Sequence, residues 1–232
     1  VFVGVEYRLG LLGWNCLPAL CPAADDTGTF ALLDMAKALD WVKENIAAFG
    51  GDGQNVTLFG FSAGSRDALA LLASPLGEGR FQRVVACSGG MTLADPGESA
   101  RSIAAALAPL AVEDGKARTT AAAQNWLLTS DPAVRDWLCG VEAARLAAKM
   151  AGAGLRMGAF PHLYADGVTL PQNWESAAYQ NIPVMLLSGT TEFSFARWDA
   201  FFASETAQAF PAEELEQAKQ FAVQYGSALY RV

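Results

Sequence analysis

The 232-residue chain is 52% hydrophobic and 17% charged, and its 24 acidic residues against 16 lysines and arginines leave a net charge of −8. This is enough apolar material for one sizeable core, and it excludes the basic face that a nucleic-acid binder needs. No apolar run reaches the roughly 18 residues of a membrane-spanning helix.

The chain opens inside an apolar run, Val1-Phe2-Val3-Gly4-Val5, with no initiating Met. It is expected to lack its natural N-terminus, so a signal peptide is out of view and cytoplasmic and secreted locations both stay open. Val1–Tyr7 reads as a first buried strand, and Val56–Phe61, Arg83–Cys87 and Pro183–Leu187 as three more. None alternates cleanly between apolar and polar, the pattern of strands covered on both faces of a parallel sheet. From about Phe30 to Phe49, Leu32, Ala36, Leu39 and Ile46 recur at helical spacing, Lys37, Lys43 and Glu44 take the outer face, and Gly50-Gly51 ends the helix. Ala63–Leu72 reads as a helix stopped before Pro75, and Glu98–Leu107 as another. Asp131-Pro132 caps a helix running to about Met150, and a last helix follows Pro211. The Ala-rich stretch Pro109–Ser130 reads as a peripheral insertion. The alternation predicts an α/β protein with a mostly parallel central sheet flanked by helices. It is expected to be a single domain over 1–232 with a helical insertion at about 92–160.

Four cysteines in this length are far below disulfide-scaffold density, so free thiols are expected. Cys16 and Cys21 are near enough in sequence for a disulfide between them to stay open, whereas Cys87 and Cys139 read as small core residues. No Cys-x-x-Cys or Cys/His cluster suggests a metal site.

The chemistry concentrates in Asn55-Val-Thr-Leu-Phe-Gly-Phe-Ser62-Ala-Gly64. A strand runs into Gly60-Phe61-Ser62-Ala63-Gly64, the pattern G-x-S-x-G, and a helix follows at once. A serine on such a turn is held strained with its hydroxyl exposed, and side chains at the flanking glycines are expected to collide with the neighbouring strand and helix. The helix N-terminus and the N–H of Ala63 favour negative charge on a substrate oxygen.

Four stretches resemble the type-B carboxylesterase family, which includes the cholinesterases. Val5-Glu-Tyr-Arg-Leu-Gly-Leu-Leu-Gly13 is similar to N-Y-R-L-G-x-L-G. Trp41-Val-Lys-Glu-Asn-Ile-Ala-Ala-Phe-Gly-Gly-Asp52 is similar to W-V-x-x-N-I-x-x-F-G-G-D. Asn55–Gly64 resembles N-V-T-L-F-G-E-S-A-G, and Asp166-Gly167 with Leu170-Pro171 resembles D-G-x-x-L-P. The likeness is dense over residues 1–91 and 160–195. It implies the α/β-hydrolase fold, incomplete at both ends, and a carboxylic ester hydrolase with a Ser-Glu-His triad in that chain order. It implies that a Gly-rich oxyanion loop precedes Val1 and that the catalytic histidine lies beyond Val232. No cofactor is implied, and the partner is a small-molecule ester.

The sequence departs from the family at two places. Phe61 stands where the family has Glu, removing a carboxylate that would favour cationic substrates. The acid motif, G-x-x-x-D-E-G in the family, reads Gly189-Thr190-Thr191-Glu192-Phe193 here and is shorter. Glu192 follows an apolar strand, where this fold places its acid, and is the expected triad carboxylate, ahead of Asp166 and Asp199. His162 is the sole histidine. It precedes Glu192, against the order Ser, acid, His, and reads as a loop residue rather than the base. Ser88, in Cys87-Ser-Gly-Gly90, is either a turn serine or a hydrogen-bond partner of the triad acid. Phe61, Phe195 and Trp198 are candidates for the substrate pocket, while the tryptophans as a group read mostly as core. Arg8 and Asp34 read as a structural pair. Two alternatives stand beside the hydrolase: a non-catalytic cholinesterase-like interaction protein, and an inactive truncated product. Relatives of the non-catalytic kind typically lose the nucleophile, and Ser62 is kept.

Overall fold

The structure, a computed structural model, describes residues 1–21, 27–90, 93–151, 163–174, 179–189, 212–213 and 216. Three strands, β1 (Thr57–Phe61), β2 (Arg83–Cys87) and β3 (Val184–Leu187), form a parallel sheet in the order β1-β2-β3. The register sets Phe61 beside Cys87 and Cys87 beside Leu187, so all three strands end on one line. The carboxyl ends of parallel strands are where such sheets place their chemistry.

A short helix α1 (Gly10–Gly13) precedes α2 (Phe30–Asn45), whose Leu32, Met35, Ala36, Leu39 and Val42 are buried. A 3₁₀ turn, Ile46–Phe49, continues α2 to Gly50, which closes it at φ 77°. α3 (Ala63–Ala73) follows β1 directly. It shares a core with α2 and β2 through Leu32, Leu71, Phe81 and Val84. Arg8 is fixed to α2 by a two-pronged ion pair, its Nε and Nη2 donating to the Asp34 carboxylate at 2.7 and 2.6 Å.

Between β2 and β3 run α4 (Pro96–Glu113), α5 (Thr120–Leu127), α6 (Pro132–Gly140) and α7 (Ala143–Ala151). They bury a second cluster that includes Ile103, Leu107, Leu127, Val134 and Leu146. Asp114, just past α4, accepts from Trp137 Nε1 on α6 at 2.9 Å and from Arg145 Nη2 on α7 at 2.7 Å. One carboxylate therefore joins three helices.

Several expectations need correction. Val1–Tyr7 forms no strand: Val1 and Phe2 are 76% and 86% exposed, and the segment lines a cavity beside β1 instead of bonding to it. An apolar β-branched composition favours a strand but does not by itself make the ladder. The stretch from Pro109 is helical and packs into the second cluster. α4 runs through Pro109, and Leu110, Ala111, Ala123 and Leu127 are buried, so packing overrides the proline penalty. The helix expected from Asp131 to Met150 breaks at Val141, whose extended backbone (ψ 133°) separates α6 from α7. Cys16, Cys87 and Cys139 are free thiols, and Cys139 is exposed on α6 rather than in the core. Trp14 and Trp137 are buried, but Trp41 is 45% exposed, its ring 5.9 Å from that of Phe49. Only residues 212, 213 and 216 of the helix expected after Pro211 are described, and they are helical. Among the described residues no helix is long and apolar enough to cross a membrane.

Candidate active site

β1 carries the chain to Phe61 and α3 begins at Ala63, leaving Ser62 alone to make the turn. Its backbone takes φ 54° and ψ −115°, and its side chain is exposed. A non-glycine residue at positive φ costs on the order of 1–3 kcal/mol and persists only where its surroundings hold it. Those surroundings are visible. The Ser62 N–H donates to the Cys87 carbonyl at 2.8 Å, and the Ser62 carbonyl accepts from Arg66 N at 3.1 Å. The turn is thus stitched to β2 on one side and to α3 on the other.

The two glycines of the motif are not equivalent. A Cβ on Gly60 would lie 2.1 Å from the Gly64 carbonyl oxygen, so the helix start can approach the strand this closely only because residue 60 has no side chain. A Cβ on Gly64 would meet nothing within 4 Å among the described residues. The expected collision at the second glycine is therefore absent. A third glycine matters that the motif does not contain: a Cβ on Gly89 would fall 2.4 Å from Ser65 Cβ and 2.7 Å from the Ser62 carbonyl oxygen.

Ala63 opens α3, so its N–H belongs to the first turn, whose donors have no intrahelical acceptor. Both Ser62 and Ala63 are exposed, and Phe61 beside them is 66% exposed. Ser88, at the matching end of β2, also has positive φ, 53°. It lies between Ser62 and the end of β3, and its N–H donates to the Leu187 carbonyl at 2.8 Å. The structure thus sets two left-handed serines side by side where the strands end.

Glu192, Phe195, Trp198, His162 and Asp199 lie outside the described residues. Asp166 is inside them and is occupied. Its carboxylate accepts from Val168 N at 2.8 Å, Thr169 N at 2.7 Å, Leu170 N at 3.1 Å and Thr169 Oγ1 at 2.5 Å. That hub fixes the turn at Gly167 (φ 79°), which explains why the Asp-Gly and Leu-Pro pairs occur together.

Two buried groups under the serine turn escaped the sequence reading. Ser65 is fully buried on α3, and its hydroxyl has no partner among the described residues. Asp67 is buried on α3 at 5% exposure, facing the Tyr7 hydroxyl, with the Arg66 guanidinium nearby. Burial pushes its carboxyl up to about 6 against the opposing pull of Tyr7 and Arg66. Burial, then the Asp67 charge, pushes the Tyr7 phenol up to about 12. The one available signal was an ionisable pair, Arg66-Asp67, directly before an apolar helix run.

A model of the carboxylesterase family matches residues 1–225. Para-nitrobenzyl esterase of Bacillus subtilis is 42% identical over 116 residues, which is 50% of this chain and 23% of that protein. Fumonisin B1 esterase of Sphingopyxis macrogoltabida is 43% identical over 93 residues, 39% of this chain and 17% of that protein. Among solved structures, a PNB esterase superposes with a TM-score of 0.66 at 30% identity, covering 93% of this chain and 43% of the esterase. A carboxylesterase of Geobacillus stearothermophilus gives 0.64 at 25%, covering 94% and 42%. A parallel sheet with a left-handed serine between strand and helix, and this likeness, define the α/β-hydrolase fold. The chain belongs to the carboxylesterase family. It spans under half the length of each of these relatives.

Proposed function

We propose that this chain carries the nucleophile of a carboxylic ester hydrolase of the type-B, cholinesterase-like branch, acting through an acyl-enzyme. The observation that carries the reading is Ser62 itself, held at φ 54° between strand and helix with its side chain exposed. Ser62 Oγ attacks the ester carbonyl carbon while its proton passes to a histidine. Ala63 N–H holds the oxyanion. The alcohol then leaves with that proton, and water hydrolyses the acyl-serine. Glu192 orients the histidine, which the family's chain order implies lies beyond residue 232, and Ser88 is read as supporting the acid. Phe61, Phe195 and Trp198 flank the substrate. Helices α4–α7 are read as an insertion of about residues 92–160 into a single hydrolase domain. The names of the relatives quoted above point to ester substrates, and no step calls for a cofactor.

The test is a fluorophosphonate probe on the full-length protein. Labelling should occur at Ser62 and vanish in Ser62→Ala, because only an activated serine reacts. Equal labelling of the two would overturn the assignment. No labelling of either would favour a non-catalytic interaction protein.

A further inference from the structure

The N-terminus of α3 is held on two faces. Residues two apart on a helix point about 200° apart, so Ser65 and Asp67 look in opposite directions. Ser65, fully buried, presses on Gly89 where β2 ends. Asp67, also buried, looks toward residues 1–7 and lines the 370 Å³ cavity between that segment, α2 and β1. The other cavity walls near it are apolar: Met35, Leu39 and Val42 from α2, and Leu58 and Phe59 from β1. The charged or titratable side chains on the cavity or close to Asp67 are Tyr7, Arg66 on its own helix and Asp52.

Tyr7 is itself anchored through the next residue. Arg8 is locked to Asp34 on α2 by its backbone N–H at 3.1 Å and by two guanidinium bonds. Consecutive residues of one extended segment therefore reach two helices, Arg8 taking α2 and Tyr7 facing α3. A buried carboxyl in an apolar wall is costly, and the reaction proposed above makes no use of it.

We propose that Asp67 and Tyr7 are positioning residues for Ser62: Tyr7, held in place by the Arg8–Asp34 pair, sets the rotation of α3 through the Asp67 carboxyl and so aims the serine at its N-terminus. This rests on the reading of Ser62 as nucleophile. The physical basis is that α3 can turn about its axis only if both of its faces yield. The Gly60 and Gly89 approaches resist on the sheet side. Removing the Tyr7–Asp67 contact frees the opposite side, and a misaimed nucleophile loses rate steeply with distance.

The experiment measures the rate of fluorophosphonate labelling of Ser62 from pH 5 to 8 in the full-length protein. It compares wild type with Tyr7→Phe, Asp67→Ala, Asp67→Asn and the Tyr7→Phe/Asp67→Ala double variant. Tyr7→Phe and Asp67→Ala should each slow labelling about tenfold. The double variant should be no slower than the slower single variant, since both remove one contact. The ratio of wild-type to near-isosteric Asp67→Asn rates, in which the titration of the catalytic histidine cancels, should step near pH 6, where the Asp67 carboxyl changes charge. Additive losses, unchanged rates, or a wild-type to Asp67→Asn ratio that stays flat from pH 5 to 8 would each overturn the proposal. If wild type does not label at all, the nucleophile reading fails, and amide exchange across Ala63–Leu69 still decides the clamp. Faster exchange in Tyr7→Phe than in wild type supports it, and equal exchange overturns it.

Discussion

Gly60→Ala and Gly64→Ala should behave as opposites although both break the same G-x-S-x-G pattern. The Cβ added at residue 60 would sit 2.1 Å from the Gly64 carbonyl oxygen, where real Cβ contacts stay beyond 3.0 Å. Neither atom can swing away, because one is attached to the strand backbone and the other belongs to the helix backbone. The turn must open by roughly 1 Å, and a shift of that size at a reacting group costs about 10²-fold in rate. Forcing a methyl into packed structure also costs about 1–3 kcal/mol. With slopes of about 1–3 kcal/mol/M, the urea midpoint should fall by roughly 1 M. Among the described residues, the Cβ added at residue 64 meets nothing within 4 Å. It exchanges a helical Gly for Ala, a gain of up to about 1 kcal/mol. Gly64→Ala should therefore keep its urea midpoint or raise it, and label within about twofold of wild type. The assay is fluorophosphonate labelling beside urea unfolding for both variants. Wild-type labelling in Gly60→Ala, or a parallel loss in Gly64→Ala, would refute the steric argument.

Three further outcomes follow from the same structure. Asp67 binds its proton more tightly in the folded chain (about 6) than at the ordinary value of 3.8, so its contribution to stability is full below pH 4 and is lost as pH rises through 6. That loss is on the order of 3 kcal/mol, and Asp67→Asn should flatten this part of a melting-temperature profile; an unchanged slope would refute it. Glu192→Gln should cut ester turnover by about two to four orders of magnitude with folding kept. Asp166→Asn should instead lower the melting temperature, because its carboxylate holds three backbone N–H groups and a hydroxyl, and the reverse pattern in turnover would show the acid is misassigned. The 232-residue chain assayed alone on a short-chain p-nitrophenyl ester should show no turnover, and the full-length protein should be active with or without His162→Ala. Activity of the short chain that disappears in His162→Ala would make His162 the base.

Much of this protein could be read from local pattern. The three strands that formed are the mostly apolar runs that parallel strands show, but the expected cover on both faces is not there: β3 is exposed along its length and β1 at most of its positions. The serine turn was legible because strand, Gly60, Ser62 and helix are consecutive, so the strain is written in a single short stretch. Arg8–Asp34 was also foreseen, though 26 residues separate the partners. Tertiary structure decided whatever depended on a partner from elsewhere in the chain. Val1–Tyr7 has the composition of a strand but forms no ladder, although it lies beside β1 at the edge of the described sheet. Pro109 sits inside a helix because Leu107, Ala108, Leu110 and Ala111 around it are buried. Gly60 and Gly64 look alike in the motif, yet the close approach of one helix backbone makes only the first indispensable. Asp67 drew no reading from the sequence; the fold turns it inward beside Tyr7, and burial, which no local pattern encodes, raises its carboxyl.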